Sequence, residues 1–207
     1  MTNEEIKAEI KKNCETLTGM CEALVKNTEE FLQAVTFVRD KNGYDEKFYH
    51  QVTCIVFLKY SIRDIFLLYK LLYATEDDAE KNVLARTLAT HIAGLIKDMD
   101  GIQGKQMTEL IKPILDEDLT QMLSTIRNLH KLIKRKYDEM NTIRNFVSAH
   151  KDRDIRKQLE IMKSIDYLEL MPVIAQIQVF TLSLLLFEKA INQKRHAKTE
   201  SKVKQPE

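Results

Sequence analysis

Tryptophan is absent from the 207 residues, and proline and glycine are scarce, with three and five copies. So few breakers and turn formers exclude a collagen-like chain and leave long helices uninterrupted. The three cysteines, Cys14, Cys21 and Cys54, are odd in number and contain no Cys-x-x-Cys pair, which argues against a disulfide framework and a thiolate zinc site. Cys14 and Cys21 stand seven residues apart, on one helix face, and read as small core residues rather than a redox pair. A reduced, cytoplasmic setting is expected. Excess charge is missing too: 32 basic and 31 acidic residues leave a net charge of +1. No global field then draws the chain to nucleic acid or an anionic membrane, so polyanion binding requires a local patch. The opening Met-Thr-Asn-Glu-Glu-Ile-Lys lacks the apolar core of a signal peptide and is expected to remain on the mature chain. The stretch Val52 to Tyr73 is long enough to span a bilayer but carries Lys59, Arg63, Asp64 and Lys70, so we expect a buried bundle helix and no membrane span.

What is present is apolar periodicity. Thr2 and Glu5 form a capping box, after which Ile10, Leu17, Leu24, Phe31 and Val38 recur every seven positions, with Cys14, Cys21 and Val35 on the neighbouring row. A first helix to about Arg39, packed through a long seam, is predicted. Asp45 caps a second helix whose apolar residues Phe48, Val52, Ile55, Ile62, Ile65, Phe66 and Leu72 lie on nearly every side, as a central and most buried helix requires. A third begins near Thr75–Asp78, carries Leu84, Leu88, Ile92, Leu95 and Met99, and stops near Gly101 and Gly104. After a short turn interrupted by Pro113, one long helix is expected from Asp116 or Asp118. It carries Leu119, Ile126, Ile133 and Met140 at sevenfold spacing and Met122, Leu129 and Ile143 beside them. The last helix has Pro172 in its first turn and runs through Ile174, Ile177, Phe180, Leu184 and Phe187 to about Asn192. No convincing strand, tandem repeat or glycine-rich phosphate loop is present. The expected fold is all-α: an antiparallel helical bundle over residues 1–192 with additional helices, then a polar tail at 193–207 expected to be disordered.

The segment richest in chemistry is Ile143-Arg144-Asn145-Phe146-Val147-Ser148-Ala149-His150-Lys151-Asp152. A guanidinium can hold phosphate oxygens in a fork, an imidazole moves protons near neutral pH, and an amide can orient the reacting group. Such a set could act on a phosphodiester without a metal or other cofactor. Six residues apart on an ideal helix, Arg144 and His150 point about 120° from one another. They can converge through the length of the arginine, through loosening of the helix after Ala149, or against the same segment of a second chain. On the simplest structural reading, Arg144 instead pairs with Asp138 or Asp152 and His150 closes a helix end.

Arg144-Asn145, then His150 with five residues between arginine and histidine, in an all-helical chain of this size, resembles the HEPN superfamily. The text from Arg144 to Asp152 is especially similar to HEPN proteins of abortive infection and phage defence. The resemblance rests on about a dozen residues, while the rest of the chain agrees in being helical. It implies a helical bundle that forms a homodimer with its two motifs facing each other, and a metal-independent endoribonuclease. His150 is then the acid and base, Arg144 the stabiliser of the phosphate, and Asn145 the residue that orients them. Expected partners are RNA and a protein inhibitor or antitoxin; the alternative is a non-catalytic helical interaction module with a degenerate motif.

Other candidates carry weaker patterns. Lys131, Lys134, Arg135 and Lys136 form a basic cluster ahead of the motif which, with Lys151, is a weak RNA-binding candidate against the ordinary reading of a solvated face. The tail cations Lys194, Arg195, Lys198, Lys202 and Lys204 could add polyanion contacts, without aromatic residues for base stacking. Arg127 and His130 are too closely spaced for the motif, and His130 reads as a boundary residue. His91 reads as partly buried and hydrogen-bonded, and His50 and His196 are isolated. Arg63 and Asp64, set in an apolar helix, must reach solvent or be paired. No His, Cys, Asp or Glu cluster has ligand spacing, so no metal or cofactor is expected.

Overall fold

A computed structural model describes residues 3–42, 46–102, 108–109, 111–148 and 167–203. The chain is all-α, a bundle of six helices among the described residues: α1 (Asn3–Asn42), α2 (Glu46–Ala74), α3 (Asp78–Ile102), α4 (Glu117–Lys134), α5 (Tyr137–Ser148) and α6 (Met171–Val203). Short 3-10 turns at Lys112–Ile114, where Pro113 stands, and Tyr167–Leu170 lead into α4 and α6. The sevenfold rows do what their spacing predicts. Leu17, Cys21 and Leu24 of α1 are buried, as are Leu119, Ile126, Ile133 and Met140, and Ile174, Ile177, Phe180, Leu184 and Phe187. Thr2, Asp45 and Gly104, and the side chains of Ile10, Cys14, Phe31, Val35, Val38, Phe48, Val52 and Cys54, lie outside the described residues.

Helix α3 is central together with α2. It packs against α2, α4, α5 and the turn before α6. The small side chains of Ala85, Ala89 and Ala93 are fully buried beside Leu88, Ile92, Leu95, Ile96 and Met99, which lets neighbouring backbones come close. In contrast, α2 buries Ile55, Leu58, Ile62, Ile65 and Phe66 but leaves Phe57, Leu67 and Leu71 exposed. Apolar residues all round a helix therefore did not mean that every side was covered. The start of α3 is fixed by Asp77, whose Oδ1 accepts the Glu80 backbone N–H at 2.8 Å.

The single long helix expected beyond Asp116 is broken in two. The Arg135 N–H donates to Leu132 O at 3.3 Å and the Lys136 N–H to Ile133 O at 3.0 Å, each reaching back three residues. That tighter turn lets α4 lie on α6 while α5 lies on α3. The apolar row survives the break, which is why the sequence concealed it. At its start α4 is capped by Asp116, whose Oδ1 accepts the Leu119 N–H at 3.0 Å. The other carboxyl oxygen of Asp116 pairs with Lys194 Nζ. Helix α6 accordingly continues past Asn192 to Val203 through most of the segment expected to form a disordered tail. A polar sequence without pattern had no way to announce a tether contributed by another helix.

Candidate functional site

The approach to the motif is α5, whose Met140 and Ile143 are buried and whose helix packs on α3. One position beyond Ile143, Arg144 is half-buried, and Asn145 is exposed. The described part of α5 reaches Ser148. His150 and Lys151 lie outside the described residues, as do the side chains of His50 and His196. Arg144 and Asn145 are thus placed side by side on α5.

The carboxyl that feels Arg144 is Asp98, near the end of α3. Burial of its inner side pushes the Asp98 carboxyl up, against the opposing pull of Lys97 and Arg144. The residues suggested by sequence proximity were Asp138 and Asp152; the latter lies outside the described residues. An electrostatic neighbour on a helix some forty-six residues earlier leaves no local signal.

Lys131, Lys134 and Arg135 are exposed on and just after α4. Lys134 is committed to a carboxylate, its Nζ donating to Asp100 Oδ1 at 2.8 Å and Oδ2 at 2.9 Å. Lys136 pairs with Glu139 at 2.9 Å, and that bond holds its ammonium above the ordinary lysine range. The basic cluster is therefore partly neutralised by its own fold, through the carboxylates that Lys134 and Lys136 hold.

His130 is not a boundary residue, being only 3% exposed. Burial pushes its imidazole below the ordinary histidine range, opposed by Asp100 and by a hydrogen bond to the Ile96 backbone. Its Nε2 faces Asp100 Oδ1 at 3.5 Å, too long for a good hydrogen bond. Arg127, on the preceding turn, donates to Thr108 Oγ1 at 2.8 Å. Both residues hold helices together. His91 is exposed rather than partly buried, because it points away from the Leu88, Ile92 and Leu95 face.

Arg63 and Asp64 satisfy each other through bonds of 2.8 and 3.1 Å from Nη2 and Nε to Oδ1, and the Arg63 guanidinium lies 4.7 Å from the centre of the Tyr60 ring. An open cleft of about 830 Å³ between the end of α2 and the start of α3 is lined by Leu71, Ala74, Val83 and Leu84, with Glu76 and Glu80 at its edge. From Glu80 to Asp98 along α3 is about 27 Å, so this apolar cleft and Arg144 lie at opposite ends of the helix. Among the described residues no group of three His, Cys, Asp or Glu side chains is placed to hold a metal ion. One segment there, Leu168–Ile191, is long and apolar enough to cross a membrane by length and composition. It includes the buried Glu188.

Comparison of the chain with family models, curated proteins and solved structures finds no match.

Proposed function

We propose that this chain is a HEPN-like, metal-independent endoribonuclease of a defence or toxin–antitoxin system. Arg144, Asn145 and His150 of two copies would form its cleft. The observation that carries this reading is the exposure of Asn145 beside the half-buried Arg144 on α5, a few residues ahead of His150 in the sequence. Such a place lets a guanidinium remain anchored at its base while its tip meets a phosphate.

The chemistry is transesterification. His150 removes the proton from a ribose 2′-hydroxyl, whose oxygen attacks the adjacent phosphorus. The bond from phosphorus to the 5′-oxygen breaks, and an imidazolium returns a proton to that oxygen. The products are a 2′,3′-cyclic phosphate and a 5′-hydroxyl end, with no redox change. Arg144 neutralises the charge that builds on the equatorial oxygens, and Asn145 orients the scissile phosphate. Lys131 and Arg135 supply nonspecific phosphate contacts that weaken with salt. In this reading the protein works in the cytoplasm, without a cofactor, under the control of a protein inhibitor.

The second reading, a non-catalytic interaction module, is favoured by the nearness of Arg144 to Asp98, since a guanidinium serving a carboxylate has a structural role already. Incubating purified protein with mixed RNA and a chelator separates the two. Cleavage that disappears in His150→Ala supports the nuclease; intact RNA with folded wild-type protein supports the module.

A further inference from the structure

Along α6, Pro172, Ala175, Val179, Leu182, Leu186, Lys189 and Gln193 follow one another at alternating spacings of three and four, and all are exposed. This row is a coiled-coil seam on the side of α6 turned away from its own core residues Val173, Ile177, Phe180, Leu184 and Phe187. Its middle is apolar, with Val179, Leu182 and Leu186 exposed by 51%, 52% and 59%. Charge appears at the ends: exposed Lys189 beyond Leu186, and exposed Glu169 one turn before Pro172.

We propose that this seam seats the same seam of a second copy, with the two α6 helices antiparallel about a twofold axis between Val179 and Leu182. In that register Val179 of each copy layers on Leu182 of the other, and Ala175 on Leu186. Lys189 comes within about one helical turn of Glu169 from the other copy. A parallel pairing would set lysine against lysine and glutamate against glutamate, so the charge pattern selects the antiparallel one. The paired small and large residues, Ala175 against Leu186, let the helices approach closely. A bilayer fits the same helix less well. The opposite side of α6 is committed to the bundle core, and Glu188 is held there by Lys59. This pairing does not depend on RNA cleavage.

Sedimentation equilibrium of the full chain tests it. The wild type is expected to be a dimer at micromolar concentration. Leu182→Glu should raise the dissociation constant by about 30-fold or more, the scale of a buried interface anchor, with helicity unchanged by circular dichroism. Lys189→Glu should weaken the dimer, and adding Glu169→Lys to it should restore wild-type affinity. A monomeric wild type, a dimer indifferent to Leu182→Glu, or a charge exchange that fails to restore affinity overturns the proposal. So does cosedimentation of wild type, but not Leu182→Glu, with phosphatidylcholine and phosphatidylglycerol vesicles, which would give the seam to lipid.

Discussion

Lys59 of α2 and Glu188 of α6 meet inside the protein, Nζ to Oε2 at 2.6 Å, with the two side chains 1% and 6% exposed. The same ammonium donates to Asn27 Oδ1 of α1, so one buried cation ties three helices. Glu188 Oε1 meets no donor among the described residues, and burial pushes the carboxyl up against the pull of Lys59. Removing Glu188 leaves the Lys59 ammonium buried without its balancing carboxylate. Glu188→Ala should therefore cost about 3–5 kcal/mol of unfolding free energy. The double substitution Lys59→Met, Glu188→Leu should cost far less, because two desolvation penalties vanish together. Chemical denaturation of the three proteins measures this; equal losses in single and double variants would refute the coupling.

His130 gives the fold an acid-side sensitivity. Its folded pKa lies below the unfolded value, so the folded state binds the proton less readily. The contribution is present above about pH 6.5 and is lost as pH falls through the folded value. Melting temperature should drop between neutral pH and about pH 5, and His130→Phe should flatten that part of the curve. An unchanged slope in the variant would assign the acid sensitivity elsewhere.

Asp116 caps α4 and also anchors Lys194 of α6. Asp116→Ala should cost about 1 kcal/mol through the lost cap. Hydrogen exchange of the amides around Lys194 should speed up in the same variant. Protection there that is indifferent to the substitution would show that the tether does not hold the end of α6.

These three relationships mark the limit of what could be read from sequence. The row from Leu119 to Met140, the Asp116 cap and the Pro172 start were legible, because each is written in neighbouring residues. The break at Arg135 was not, because the buried row passes through it in step. Nor were Lys59 with Glu188 or Arg144 with Asp98, since each partner comes from a distant helix. Lys59 stood out as a charge in an apolar run, while Glu188, set between Phe187 and Lys189, looked like an ordinary helix residue. His130 was misplaced because the carboxylate and carbonyl that receive it belong to α3.

At the motif, function should fail before folding does. Arg144 is only partly buried, so Arg144→Ala is expected to change stability by about 1 kcal/mol or less. Loss of a group that stabilises a phosphoryl transition state costs about 10²–10³ in rate. Thermal melting beside RNA turnover distinguishes these effects. A large melting loss in Arg144→Ala would mean that its service to Asp98 is what the bundle requires.

The proposed attack by a ribose 2′-hydroxyl is tested most directly by the ends of the products. Wild-type protein with a chelator should cut an RNA oligonucleotide to leave 2′,3′-cyclic phosphate and 5′-hydroxyl ends, and should leave the fully 2′-O-methylated oligonucleotide intact. Cleavage of the methylated strand, or 5′-phosphate ends on the RNA products, would contradict the mechanism. RNA left whole by folded wild-type protein would contradict the enzyme itself.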